Sequence, residues 1–267
     1  MSFEDVFTQR RDIEVTGVHT HIAEAGEGEP IVLLHGNPDS HTVWSSIVAK
    51  LANRYRCIAP DLPGFGRSRA PADFDCSLAN QARWVRALFD ALELPRAHLV
   101  VHDVGGFYGL AFAAESGAER LSALTISNTA FFPDYRWHFW GRVWRTRGFG
   151  ELAMKISNRP LFVRELKRGS PNMPRDYASH AYDGFRPDVA RMVLRLYRAM
   201  DPDVFAGWDE RMLAATATVR KTVIWGDQDP FIPARFADRF GGTVHHVPEC
   251  GHWIMIEEPD RFVALMG

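Results

Sequence analysis

Leu99-Val100-Val101-His102-Asp103-Val104-Gly105-Gly106 decides how this chain reads. An apolar run ends in His102-Asp103, and the glycine pair behind it opens a helical pattern. A strand that turns sharply into a helix lifts the side chain of its turn residue above the sheet edge. In the usual form the lifted residue is the serine of Gly-x-Ser-x-Gly. Here the place belongs to Asp103, so the question is what a carboxylate held there can attack.

Outward from that stretch the pattern alternates strand and helix. Phe7 to Ala25 shows partial alternation, with Val18, Thr20 and Ile22 on one strand face. Ile31-Val32-Leu33-Leu34 is a short continuous apolar run, as in a strand buried on both faces. It ends in His35-Gly36-Asn37-Pro38. Helical spacing covers Thr42 to Ala52, and Arg56 to Pro60 reads as a strand running into Asp61-Leu62-Pro63-Gly64-Phe65-Gly66-Arg67-Ser68. Ser77 is the expected N-cap of a helix reaching Leu92. Leu121–Ser127, Thr222–Trp225 and Thr243–Val247 are further strands, Ala234 to Phe240 a short helix, and Glu257 to Met266 a closing helix. Alternation with short connections predicts an α/β fold: a mostly parallel central sheet with helices on both faces.

The rhythm breaks between residues 131 and 218. That stretch has no buried-strand run and carries Trp137, Trp140, Trp144 and Trp208 among many arginines. It reads as an inserted helical cap over the carboxyl edge of the sheet, so the expected division is a core of residues 1–130 and 219–267 with a cap of 131–218. The arginine-rich piece from Arg136 to Arg147 suits an anionic substrate or, more simply, a solvated helix face.

The chain's 267 residues, 46% hydrophobic and 24% charged, fit one large globular domain with an insertion. A formal charge of −2 gives no reason to expect nucleic acid or a membrane as partner. Cys57, Cys76 and Cys250 form no zinc or redox spacing, and no apolar run reaches membrane-spanning length. Met1 to Arg11 does not read as a signal peptide. The simplest expectation is a reduced, cytoplasmic protein acting on a small molecule, with a homodimer left open. Gly64-Phe65-Gly66 meets neither phosphate-loop spacing. His245 and His246 point to opposite faces of a strand, so no metal is expected.

Three groups follow three different strands: Asp103, Asp229 in Gly226-Asp227-Gln228-Asp229, and His252 in Glu249-Cys250-Gly251-His252. The order is nucleophile, acid, histidine, with aspartate in place of serine. Each has a plainer reading: Asp103 as a helix N-cap, Asp227 in place of Asp229, and His252 as a buried histidine satisfied by backbone. His102 reads as structural.

Taken together these segments resemble the α/β-hydrolase fold family, from the first strands to the last helix. The matching pieces are His35-Gly36-Asn37-Pro38, Asp61 to Ser68, His102 to Gly106, Gly226 to Asp229, and Gly251-His252 with Glu257 and Pro259. A carboxylate attacking an ester would give a reactive anhydride. Attack on an electrophilic sp³ carbon gives an alkyl ester that water can cleave. His252, oriented by Asp229, is expected to activate that water, with the N–H groups of Asn37 and Val104 as oxyanion donors. The resemblance is to epoxide hydrolases and haloalkane dehalogenases, with no cofactor. On the epoxide side it implies two cap tyrosines as proton donors, matched by Tyr135 and Tyr197. On the dehalogenase side it implies halide donors at Asn37 and at the position of Val104, which has no side-chain donor. Trp137 and Trp140 are the expected replacements from the cap, and His35 is expected to help form the substrate site. Epoxide hydrolysis stands first. Dehalogenation stands second, and ester or lactone chemistry or plain ligand binding follow.

Overall fold

The computed structural model describes residues 3–267; Met1 and Ser2, part of the stretch considered for a signal peptide, lie outside them. Eight strands form one sheet: β1 (Gln9–Val15), β2 (Val18–Ala25), β3 (Glu29–Leu34), β4 (Tyr55–Pro60), β5 (Ala97–His102), β6 (Leu121–Ser127), β7 (Arg220–Gly226) and β8 (Thr243–Val247). Their order is β1-β2-β4-β3-β5-β6-β7-β8. Only β2 runs against its neighbours, pairing antiparallel with β1 and β4; every other pair is parallel. The partial alternation over Phe7 to Ala25 is therefore a hairpin of two strands rather than one strand, turned by Thr16 and Gly17 at positive φ.

The central parallel strands are apolar on both faces because helices cover both. On β5, Leu99 and Val101 enter one core cluster and Val100 the other; on β3, Val32 and Leu34 oppose Ile31 and Leu33 in the same way. Successive strand side chains point to opposite faces, so one apolar run feeds two cores. The first core is roofed by the helices Leu78–Ala91 and Val104–Arg120, the second by Ser45–Leu51 and Pro259–Met266. Ser77 caps the first of these, accepting from the backbone of Asn80.

Between β6 and β7 the described residues form helices and no strand: Phe139–Arg145, Phe149–Ile156, Arg159–Gly169, Arg175–Gly184, Pro187–Ala199 and Trp208–Ala215. They fasten to loops at the carboxyl ends of the strands. The Tyr177 hydroxyl donates to Asp39 at 2.7 Å, the Met192 side chain packs over Gly64, and the Gly169 carbonyl accepts from the His252 N–H at 2.8 Å. No helix of the described residues is long and apolar enough to cross a membrane.

Candidate active site

Asp103 stands at the tip of β5 with φ 47° and ψ −125°, a backbone region that side chains rarely adopt. The neighbours hold it there. Asp103 N–H donates to the Asn128 carbonyl at 3.2 Å, and Thr129 Oγ1 donates to the Asp103 carbonyl at 2.6 Å. A Cβ on Gly106 would sit 2.0 Å from that Thr129 oxygen, so only glycine admits the bond. The Asp103 side chain does not cap the helix that follows.

Its carboxylate turns instead to two backbone donors. Asn37 N–H reaches Oδ2 at 2.8 Å, and the Val104 N–H also bonds the carboxylate. A methyl on Gly36 would lie 2.5 Å from Asp103 Cβ, which explains the glycine there. Burial pushes the carboxyl pKa up, against the pull of His252 and the two N–H groups.

His252, in the loop after β8, places Nδ1 2.7 Å from Asp229 Oδ2 and Nε2 4.0 Å from Asp103 Oδ1. Asp229 is fixed by four donors. Phe231 and Ile232 N–H reach Oδ1 at 2.7 and 3.1 Å, and Asn128 Nδ2 joins the histidine at Oδ2 at 2.8 Å. Burial works against a charged imidazole, yet Asp229, Asp103 and Asp39 outweigh it and raise the His252 pKa. Asp227 faces away and bonds His246 Nδ1 at 2.7 Å. His102 is buried against the His252 ring at 4.6 Å between centroids, and burial lowers its pKa well below the ordinary value.

A cavity of about 120 Å³ opens above Asp103, walled mainly by aromatic and aliphatic side chains of the inserted helices. Tyr197 lines it, and its hydroxyl accepts from Asn37 Nδ2 at 3.3 Å while its own proton has no acceptor among the described residues. Burial, with Asp103 and Tyr135 nearby, keeps that phenol protonated. Asn37 Oδ1 is buried without a partner. Tyr135 also lines the cavity, but its hydroxyl donates to the Phe231 carbonyl at 3.2 Å and accepts from the His138 N–H. That hydroxyl ties two loops together and has no proton to spare. The tryptophans are similar: Trp137 Nε1 donates to Met200 O and Trp140 Nε1 to Glu165, both at 2.9 Å. They offer the cavity ring faces rather than N–H groups.

One further expectation is corrected by position. His35 lies beneath the site and is absent from the cavity wall: Nδ1 meets the Gly36 carbonyl at 2.8 Å and Nε2 accepts from Leu62 N at 3.0 Å. Burial drops its pKa to about 4, so it is a neutral brace. The Val104 side chain is buried in the core, and its N–H, the donor named from the sequence, faces Asp103.

Sequence reasoning missed four residues. Asn128 and Thr129 brace the acid and the elbow; polar Ser127-Asn128-Thr129 at the end of a buried strand was the available signal. Asp39 accepts from Trp253 Nε1 and Tyr177 OH, each at 2.7 Å, joining two loops to an inserted helix. His138 lines the cavity, and its Nδ1 accepts from Gly141 N at 3.3 Å, which leaves its proton on Nε2.

The comparisons agree with this architecture. A family profile described as alpha/beta hydrolase fold matches residues 29–259. A 2-hydroxymuconate semialdehyde hydrolase from Pseudomonas sp. strain CF600 is 30% identical over 96% of this chain and 92% of its own length. Haloalkane dehalogenase 2 of Mycobacterium bovis is 30% identical over 91% of this chain and 88% of its own. The crystal structure of a point mutant of haloalkane dehalogenase DatA from Agrobacterium tumefaciens C58 superposes with a TM-score of 0.81 at 26% identity, covering 98% of this chain and 96% of that one.

Proposed function

The chain belongs to the α/β-hydrolase fold family and is a hydrolase of that fold; from that premise we propose that it opens small apolar epoxides through an ester on Asp103. The observation that carries this reading is the Tyr197 hydroxyl, bonded by Asn37 yet free to donate its own proton into the cavity.

In the first step Asp103 Oδ1, the oxygen that the Asn37 N–H does not hold, attacks an epoxide carbon. The carbon–oxygen bond of the ring breaks, and the departing oxygen takes the Tyr197 proton. Oδ2 stays with the Asn37 and Val104 N–H groups as the ester carbonyl. In the second step water gives a proton to His252 Nε2 and attacks the Asp103 carboxyl carbon. The negative charge that forms on Oδ2 is held by the same two N–H groups. Collapse breaks the bond between the carboxyl carbon and Oδ1; the leaving oxygen takes the proton from His252 Nε2 and departs in the diol. The water oxygen stays on Asp103, and the proton it still carries returns to the Tyr197 phenolate, so that Asp103 is again ionised. Asn37 Oδ1, buried and unpartnered, is placed to accept from a diol hydroxyl. In this scheme the helices between β6 and β7 act as the cap that shuts bulk water from the ester.

Haloalkane dehalogenation is the second reading. The Mycobacterium bovis relative favours it, as does the proton left on His138 Nε2 at the cavity wall, a donor for a departing halide. One single-turnover experiment in ¹⁸O-water, run with an epoxide panel and a haloalkane panel, separates the possibilities. Diol with label in Asp103 supports the first reading; halide with label in Asp103 supports the second. Turnover that leaves Asp103 unlabelled removes the alkyl-ester scheme altogether.

A further inference from the structure

Among the described residues five large hydrophobic side chains are exposed, and four of them, Phe139, Phe149, Leu152 and Ile156, lie on the neighbouring helices Phe139–Arg145 and Phe149–Ile156. Phe149, Leu152 and Ile156 follow at i, i+3 and i+7, one outward stripe of the second helix. Phe149 is 67% exposed. The opposite side of that helix is also apolar: Ala153 and Met154 line the cavity, and Ile156 belongs to both the stripe and the cavity rim.

Charge is concentrated in the same place. Residues 136–168 hold nine of the chain's 31 Lys and Arg but two of its 33 Asp and Glu. The whole-chain charge of −2, which argues against an anionic partner, conceals this separation. Arg142, Arg147 and Lys155 are exposed beside the stripe and have no acidic partner among the described residues.

We propose that this face docks the protein on an anionic lipid surface, with Phe139, Phe149, Leu152 and Ile156 entering the headgroup layer and Arg142, Arg147 and Lys155 meeting lipid phosphates. Exposed rings on a helix pair, ringed by unpaired cations, are the arrangement of a segment that lies in a membrane interface without spanning it. A second copy of this chain is a poor occupant, because a two-fold contact would press one cationic face on another. Docking also turns the Ile156 rim of the cavity toward the phase where apolar compounds accumulate. The proposal is independent of the reaction written above.

Co-sedimentation with phosphatidylcholine vesicles, with and without phosphatidylglycerol, tests it. The protein should pellet with the anionic vesicles at low salt and be released by high salt. A cation near such a surface is worth roughly fivefold in partitioning, so Arg142→Glu with Arg147→Glu should weaken binding at least roughly 25-fold. Phe149→Ser with Leu152→Ser should weaken it at unchanged melting temperature, since neither side chain is buried. Failure to bind anionic vesicles, or binding that survives both double substitutions, overturns the proposal. So does a solution dimer that the Phe149→Ser, Leu152→Ser variant dissociates, which would give the face to a second copy.

Discussion

His252 Nε2 stops 4.0 Å from Asp103 Oδ1, beyond hydrogen-bond reach, while its Nδ1 is locked to Asp229 at 2.7 Å. The imidazole is thus aimed at the carboxylate without being bonded to it. Both carboxylates, with Asp39, raise the His252 pKa. In the proposed reaction alkylation removes the charge of Asp103. The histidine then loses one of the charges that raise its pKa, which favours the neutral imidazole that can take a proton from water in the second step.

His252→Gln should therefore leave the first step intact and stop the second. One equivalent of substrate should be consumed in a burst, the peptide bearing Asp103 should gain the substrate's mass, and steady turnover should fall by roughly 10²–10⁴-fold. Intact-protein mass spectrometry reads the adduct directly. A variant that turns over no substrate and never gains mass, with substrates the parent consumes, sinks the assignment.

The two tyrosines should behave differently, although both line the cavity. Tyr197→Phe removes the unspent proton and should slow adduct formation by roughly 10²-fold or more, with little effect on melting. Tyr135→Phe deletes a hydroxyl that bonds Phe231 O and the His138 N–H, so it should cost about 1–3 kcal/mol of stability. Stopped-flow alkylation of His252→Gln carrying each second substitution, set beside urea melts, distinguishes the roles. Equal kinetic losses would return Tyr135 to the donor pair.

Most of the fold is legible in the sequence because burial on both faces writes itself as continuous apolar runs. The buried strand Leu121–Ser127 agrees to the residue; so does Thr243–Val247, although that edge strand is largely exposed or half-buried. The elbow is legible because few sequences put a charged group between an apolar strand and a glycine pair. What stays hidden is side-chain direction. Trp137, Trp140 and Tyr135 fall in the cavity wall, but which carbonyl or carboxylate takes each N–H or O–H depends on chain segments 25 to 96 residues away. His35 shows the same limit: an expected substrate contact is a floor brace because Leu62, 27 residues on, donates to its ring. The hairpin of β1 and β2 escapes a sequence reading because β1 is mostly exposed and polar, and two residues, Thr16 and Gly17, suffice to turn it.

Asp39 joins the loop after β3, the histidine loop and the inserted helices through Trp253 and Tyr177. Burial raises its pKa to about 6, against the pull of those two donors. Tyr177→Phe should cost about 1.5–3 kcal/mol while Asp39 is ionised, the range for a hydrogen bond to a charged group. A protonated Asp39 values the donor less, so the cost should shrink as pH falls below about 6. Urea denaturation of both proteins on each side of that pH gives the difference. A cost independent of pH would mean that Asp39 is not the group being held.

A second buried histidine should contribute to the loss of stability at alkaline pH. His41 Nδ1 lies 2.9 Å from Asp61 Oδ1 and Nε2 3.3 Å from Glu4 Oε2. Burial alone would lower its pKa, but the two carboxylates raise it to about 9, while Glu4 falls to about 2. The folded chain therefore keeps a proton that the unfolded chain, titrating near its reference of about 6.5, gives up. The stability from this bridge is complete below that reference and is lost as pH climbs through about 9. The slope should approach, and not exceed, about 1.4 kcal/mol per pH unit for this one proton. On the acid side the Glu4 contribution holds above its unfolded value of 4.5 and fades as pH falls toward about 2. His41→Gln should remove the alkaline loss assigned to this bridge, so its unfolding free energy should change less than the parent's between about pH 6.5 and about pH 9. His246 and His252, also raised, remain in both proteins and cancel in the difference. Parallel alkaline slopes would show that His41 is not charged in the folded chain.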